Sequence, residues 1–151
     1  MNVDDLKFSP MSESDLPWVF ENETELHAFP WSRGNFDDCL KAGYSAWVMR
    51  YQDCPVGYAV MLTVLDEAHL LNVSITRGAQ RKGFGSVLMQ FLFAAAKRLG
   101  AMQFFLEVRP SNVAAQALYA RHDFVAVGRR KNYYPAANAM REDAIVMRRD
   151  L

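Results

Sequence analysis

The segment that most restricts the fold is Arg77-Gly78-Ala79-Gln80-Arg81-Lys82-Gly83-Phe84-Gly85, a glycine-punctuated loop running directly into an apolar helix over about 84–99, closed by Gly100. A helix opening on such a loop gathers consecutive backbone N–H groups and the positive end of its dipole at one point, with Arg81 and Lys82 alongside. Two readings stand at this level: an anion cradle suited to phosphate, or a glycine-rich turn that only caps a helix. Two nucleotide motifs are excluded, because no Gly-Lys-Ser/Thr is present and Leu88 occupies the third glycine position of a dinucleotide fingerprint.

Around this loop the periodicities predict a mixed α/β order. Residues 5–11 read as a strand, and Ser14-Asp15-Leu16-Pro17 starts a helix to about 27 in which Leu16, Val19, Phe20, Glu23 and Leu26 follow a 3.6-residue period and Glu21 and Glu25 turn outward. His27-Ala28-Phe29-Pro30-Trp31 breaks that helix, and Ser32 caps a second one ending at Gly43. An antiparallel meander follows: strands 44–51, 56–65 and 68–76, with turns at Gln52-Asp53-Cys54-Pro55 and Asp66-Glu67. After the apolar helix come a strand (104–109), a helix (112–121) and strands near 124–133 and 143–149. The order β-α-α-β-β-β-α-β-α-β-β predicts one α/β domain over 1–151, a mixed and mostly antiparallel sheet flanked by helices.

With 151 residues, 51% hydrophobic and 23% charged, the chain has the composition of a globular domain. Its longest apolar runs, 56–65 and 87–96, are too short to span a bilayer, and its acidic N-terminus is unlike a secretion signal, so a cytoplasmic protein without membrane contact is expected. Cys39 and Cys54 lack metal or redox spacing, and His27, His69 and His122 are scattered, so no metal is expected. The net charge is zero but uneven. Residues 1–40 hold nine acidic side chains against two basic ones, which suits either a face for a cationic partner or solvated helix surface.

The loop fits Gln/Arg-x-x-Gly-x-Gly/Ala, here Gln80-Arg81-Lys82-Gly83-Phe84-Gly85, between a meander and an apolar helix. Four further segments join it: His27 to Trp31, Leu106-Glu107-Val108-Arg109-Pro110-Ser111-Asn112, Ala117-Leu118-Tyr119, and Arg129 to Pro135 followed by Arg141-Glu142-Asp143-Ala144. In this combination the sequence resembles the GCN5-related N-acetyltransferase (GNAT) superfamily over nearly its whole length, and within it the bacterial enzymes that acetylate the N-terminal alanine of a ribosomal protein.

That resemblance implies acetyl-CoA as co-substrate, with Val73, Ser74 and Ile75 facing its pantetheine arm, the backbone of Arg81, Lys82, Gly83, Phe84, Gly85 and Ser86 on its pyrophosphate, and Asn112 in contact with it. It implies Glu107 as general base and Tyr119 as general acid, and as acceptor the N-terminus of small-subunit ribosomal protein eighteen, with no direct nucleic-acid contact and a monomer or weak dimer. Two positions depart from the family pattern: Asp123 stands where glycine is usual, and Ser74 where a small apolar residue is usual. Phe29, Pro30 and Trp31 are placed on one wall of the acceptor groove and Tyr133, Tyr134 and Pro135, on a late loop, on the other, with Glu21, Glu23 and Glu25 as a steering surface.

The residues themselves support part of this. Strand alternation sets Glu107 and Arg109 on one face and Leu106 and Val108 on the other, and a carboxylate among Phe104, Phe105, Leu106 and Val108 is open to desolvation, which would raise its pKa. A solvated or arginine-paired carboxylate fits the same pattern. Tyr119 lies close to two helical turns after Asn112, so both can face one ligand. The competing functions are acetylation of a small-molecule amine, acyl-CoA sensing without chemistry, and nucleic-acid binding.

Overall fold

The computed structural model describes residues 1–151. Seven strands form one sheet: β1 (Leu6–Pro10), β2 (Ser45–Tyr51), β3 (Cys54–Val64), β4 (Glu67–Ile75), β5 (Gln103–Val108), β6 (Val125–Pro135) and β7 (Arg141–Asp150), in spatial order β1-β2-β3-β4-β5-β7-β6. Helices α1 (Leu16–Leu26) and α2 (Arg33–Lys41) pack on one face, and α3 (Phe84–Arg98) and α4 (Val113–Arg121) on the other. The element order is the one the periodicities predict. No helix is long and apolar enough to cross a membrane.

Local chemistry explains the helix starts. Pro17 enters the first turn of α1, where its missing N–H costs nothing. Ser32 accepts from the Asn35 N–H while Asn35 reaches back, a reciprocal cap for α2. Three boundaries differ from expectation. The β2–β3 turn needs only Gln52 and Asp53, both at positive φ, so Cys54 and Pro55 join β3 and Cys54 is exposed. The next turn is Leu65–Asp66, with Leu65 at φ 56°, so Glu67 already belongs to β4. Tyr133, Tyr134 and Pro135 lie at the end of β6 and not on a loop, because pairing with β7 resumes at Tyr134 after a bulge that absorbs residues 131–133.

The feature that creates the site is a failure of pairing. β4 pairs with β3 along its whole length but with β5 only at Glu67–His69 against Gln103–Phe105, so the two strands separate beyond His69. α3 and its loop lie below this wedge, with Leu88, Met89 and Leu92 fully buried in the larger of two apolar clusters.

Candidate active site

The wedge exposes one edge of β4. The Thr76 N–H donates to the Val56 carbonyl at 2.9 Å, and bonded residues alternate along an antiparallel ladder. Ser74 therefore bonds to Tyr58 of β3, while the N–H groups of Val73 and Ile75 point into the wedge; the outward carbonyl of Ile75 is taken by Gln80 Nε2 at 3.1 Å. The Ser74 side chain does more than its strand position suggested. Buried on the α1 face, its hydroxyl meets His27 Nε2 at 2.9 Å and donates to Asn72 Oδ1 at 3.0 Å.

At the mouth of the wedge, Arg81 (φ 63°) and Gly83 (φ 88°) adopt left-handed conformations, and Gly83 caps α3. The first amide of this region with a backbone acceptor is that of Val87, bonded to the Gly83 carbonyl, so the N–H groups of residues 81–86 have no backbone partner. Arg81 and Lys82 are exposed beside them, Phe84 is buried as an anchor, and the Ser86 hydroxyl is held by His122 Nε2 at 3.0 Å. Six free amides at a helix N-terminus fit a pyrophosphate. Asn112 caps α4 by accepting from Ala115 N–H at 3.1 Å, which leaves its amide nitrogen free toward the cleft.

The cradle yields a direct prediction. Gly83→Val forces a β-branched residue into the left-handed region, a strain of about 1–2 kcal/mol that pulls the amides out of line. CoA binding measured by calorimetry is expected to weaken about tenfold or more. Gly78→Ala, where an added Cβ meets nothing within 4 Å, serves as the neutral control. Unchanged affinity in Gly83→Val would place the phosphates elsewhere.

A cleft of about 350 Å³ continues from the wedge and brings together Glu107, Tyr119, Asn112 and Val73 with Phe29, Trp31 and Tyr134. Pro30 and Tyr133 do not line it. Burial alternates along β5, so Glu107 and Arg109 lie opposite Leu106 and Val108. Tyr119 comes from the other face of the sheet, 7% exposed and packed edge-on to Phe124. Burial alone pushes its hydroxyl up to about 12. Asp123 takes φ 68°, the left-handed turn expected where the family has glycine.

Of the two readings open for Glu107, the arginine-paired carboxylate is the one found. Arg130 Nε stands 3.2 Å from its Oε1, an ion pair formed across β7 that strand alternation cannot reveal. Burial, followed by the nearby Glu107 charge, raises Tyr134 to about 12; Tyr133 is raised by burial and by the nearby Glu107 carboxylate. Arg109 lies over the rings of Phe29 (5.2 Å) and Tyr134 (4.3 Å) and donates to the Pro135 carbonyl at 2.8 Å, joining the two walls of the cleft.

Glu23 is also misplaced by the expectation of an exposed acidic face. It is 2% exposed and lines the cleft. The signal was available: Glu23 sits on the apolar stripe of α1 with Leu16 and Val19, where a carboxylate requires buried partners.

A run of unpartnered amides at the start of α3, a splayed parallel strand pair and a cleft holding Glu107 and Tyr119 together fit an acyltransferase architecture. The chain belongs to the acetyltransferase (GNAT) family, whose profile matches residues 10–124. Among individual proteins it is similar to the ribosomal protein bS18-alanine N-acetyltransferase of Salmonella typhimurium, 38% identical over 139 residues that cover 92% of this chain and 93% of that protein. The Escherichia coli protein of the same name is 37% identical over the same coverage. The crystal structure of the ribosomal-protein-S18-alanine N-acetyltransferase from Escherichia coli matches with a TM-score of 0.88 at 35% identity, covering 96% of this chain and 93% of that one. The fold alone is shared with Arabidopsis thaliana NAA60 in complex with acetyl-CoA, TM-score 0.85 at 16% identity, covering 97% and 98% of the two chains.

Proposed function

We propose that this chain transfers the acetyl group of acetyl-CoA to the α-amine of the N-terminal alanine of ribosomal protein bS18. The observation that carries the reading is the meeting of Glu107 and Tyr119, from opposite faces of the sheet, in one cleft that opens onto the free edge of β4. The similarity to the bS18-alanine N-acetyltransferases over 92% of the chain supports the acceptor.

Acetyl-CoA supplies the thioester whose acetyl group is transferred. The amides of residues 81–86 hold its phosphates, Asn112 contacts it, and the outward N–H groups of Val73 and Ile75 orient the acyl end and polarise its carbonyl. Glu107 accepts the proton of the attacking amine at its carboxylate, directly or through water, and Tyr119 Oη returns a proton to the departing thiolate. Cys39 lies on α2 and Cys54 at an exposed strand end, and neither lines the cleft, so transfer is direct, without an acyl-enzyme.

Turnover on peptides beginning Ala, Ser, Met and Gly, with spermidine beside them, tests the reading. The alanine peptide with the bS18 sequence is expected to react fastest, and faster turnover of spermidine would assign a small-molecule enzyme. Steering by α1 now rests on Glu21 and Glu25, which are exposed, Glu25 with Arg77 at 3.6 Å. Changing both to Gln is expected to raise KM for a basic peptide about twofold to fivefold at low salt, with the effect fading as salt rises. An equal change for a neutral peptide would make that face plain solvated surface.

A further inference from the structure

Two carboxylates line the cleft, and they differ in charge partner. Glu107 is paired with the Arg130 guanidinium. Glu23, almost wholly buried, has no lysine or arginine nitrogen within 4.0 Å. Its Oε1 accepts from the Tyr58 hydroxyl at 2.7 Å and from Asn72 Nδ2 at 3.1 Å, and its Oε2 accepts from the Trp31 backbone N–H at 3.0 Å. All three are uncharged donors, and each directs its hydrogen at a carboxylate oxygen. The one neighbour that can carry a positive charge, His27, places Nε2 at 3.5 Å but spends its short contact, 2.9 Å, on Ser74 Oγ.

A buried carboxylate with neutral partners keeps most of its desolvation cost, and such groups persist where something offsets it. The cleft that Glu23 lines is the one by which an amine reaches Glu107, and a peptide α-amine is largely an ammonium at neutral pH, its pKa being about 7.7–8.0. We propose that Glu23 is an acceptor-binding residue, its carboxylate supplying the counter-charge that docks the incoming N-terminal ammonium before Glu107 removes a proton. This rests on the reading above that the acceptor is a peptide α-amine. Asn72 and Tyr58 fix the carboxylate from β4 and β3, and Trp31 ties it to the aromatic wall, so the ammonium and the first side chain are located by one connected unit.

Binding to the CoA complex, measured by calorimetry without turnover, separates the possibilities. The probes are the alanine peptide and the same peptide with propionyl in place of its first alanine, which lacks only the amine. Wild type is expected to prefer the amine peptide by about tenfold or more, as for a hydrogen bond to a charged group. Glu23→Gln is expected to bind both peptides alike while its CoA affinity is unchanged. A preference that survives in folded Glu23→Gln overturns the assignment. Tyr58→Phe removes a neutral donor but leaves the charge, so the preference should persist or grow. Its disappearance there would overturn the assignment even if Glu23→Gln does not fold. If wild type binds neither peptide, the acceptor reading fails instead.

Discussion

Replacing Tyr119 by Phe is expected to lower kcat by about 10²–10⁴ with little change in KM for the peptide. The side chain is largely buried, and that burial raises the hydroxyl to about 12, so it stays protonated throughout the neutral range and is available as a donor at every pH where the amine reacts. Desolvation is the sole cause of the shift, and no other group in the chain holds the proton. Phe keeps the ring against Phe124, so the melting temperature should match or exceed that of wild type. Steady-state kinetics with a thermal melt checks both halves. An unchanged kcat in a folded Tyr119→Phe variant would remove the general-acid assignment, and a large fall in melting temperature would recast Tyr119 as structural.

Glu107→Gln is expected to cost a similar factor, about 10²–10⁴ near neutral pH, and to recover as pH rises. Below the amine pKa of about 7.7–8.0 the acceptor is an ammonium that must lose a proton, and above it the free amine requires no base. The wild-type to variant ratio of kcat/KM should therefore shrink as pH passes through 8. The lost ion pair matters little to stability, because the Arg130 side chain is 59% exposed and returns to water. A ratio constant from pH 6 to 9.5 would mean that Glu107 serves geometry and not proton transfer. Arg130→Ala, which frees the carboxylate, separates the two roles further.

Much of the frame was legible because it depends on local rules. The 3.6-residue stripe of α1, the Ser32 cap, the apolar run of α3 and the glycine at its start each depend on residues a few positions apart, and all stand where the periodicities put them. The left-handed turn at Asp123 followed instead from the resemblance, since the family has glycine at that position. Misplaced turns have equally local causes: Gln52, Asp53 and Leu65 accept positive φ, so tighter turns form than the Pro55 and Glu67 positions suggested.

The sequence by itself determined the α/β order, the glycine-punctuated loop that opens α3 and the alternation that turns Glu107 away from the core, because each is set by backbone sterics and the spacing of apolar residues along one element. Only the tertiary structure decided how the carboxylates of the cleft are partnered. Arg130 reaches Glu107 across a neighbouring strand, Glu23 is satisfied by side chains 35 and 49 residues away, and β4 leaves β5 after three paired residues. Electrostatics and desolvation act through space, so whether a carboxylate is exposed, paired or buried among neutral donors depends on which strands lie side by side.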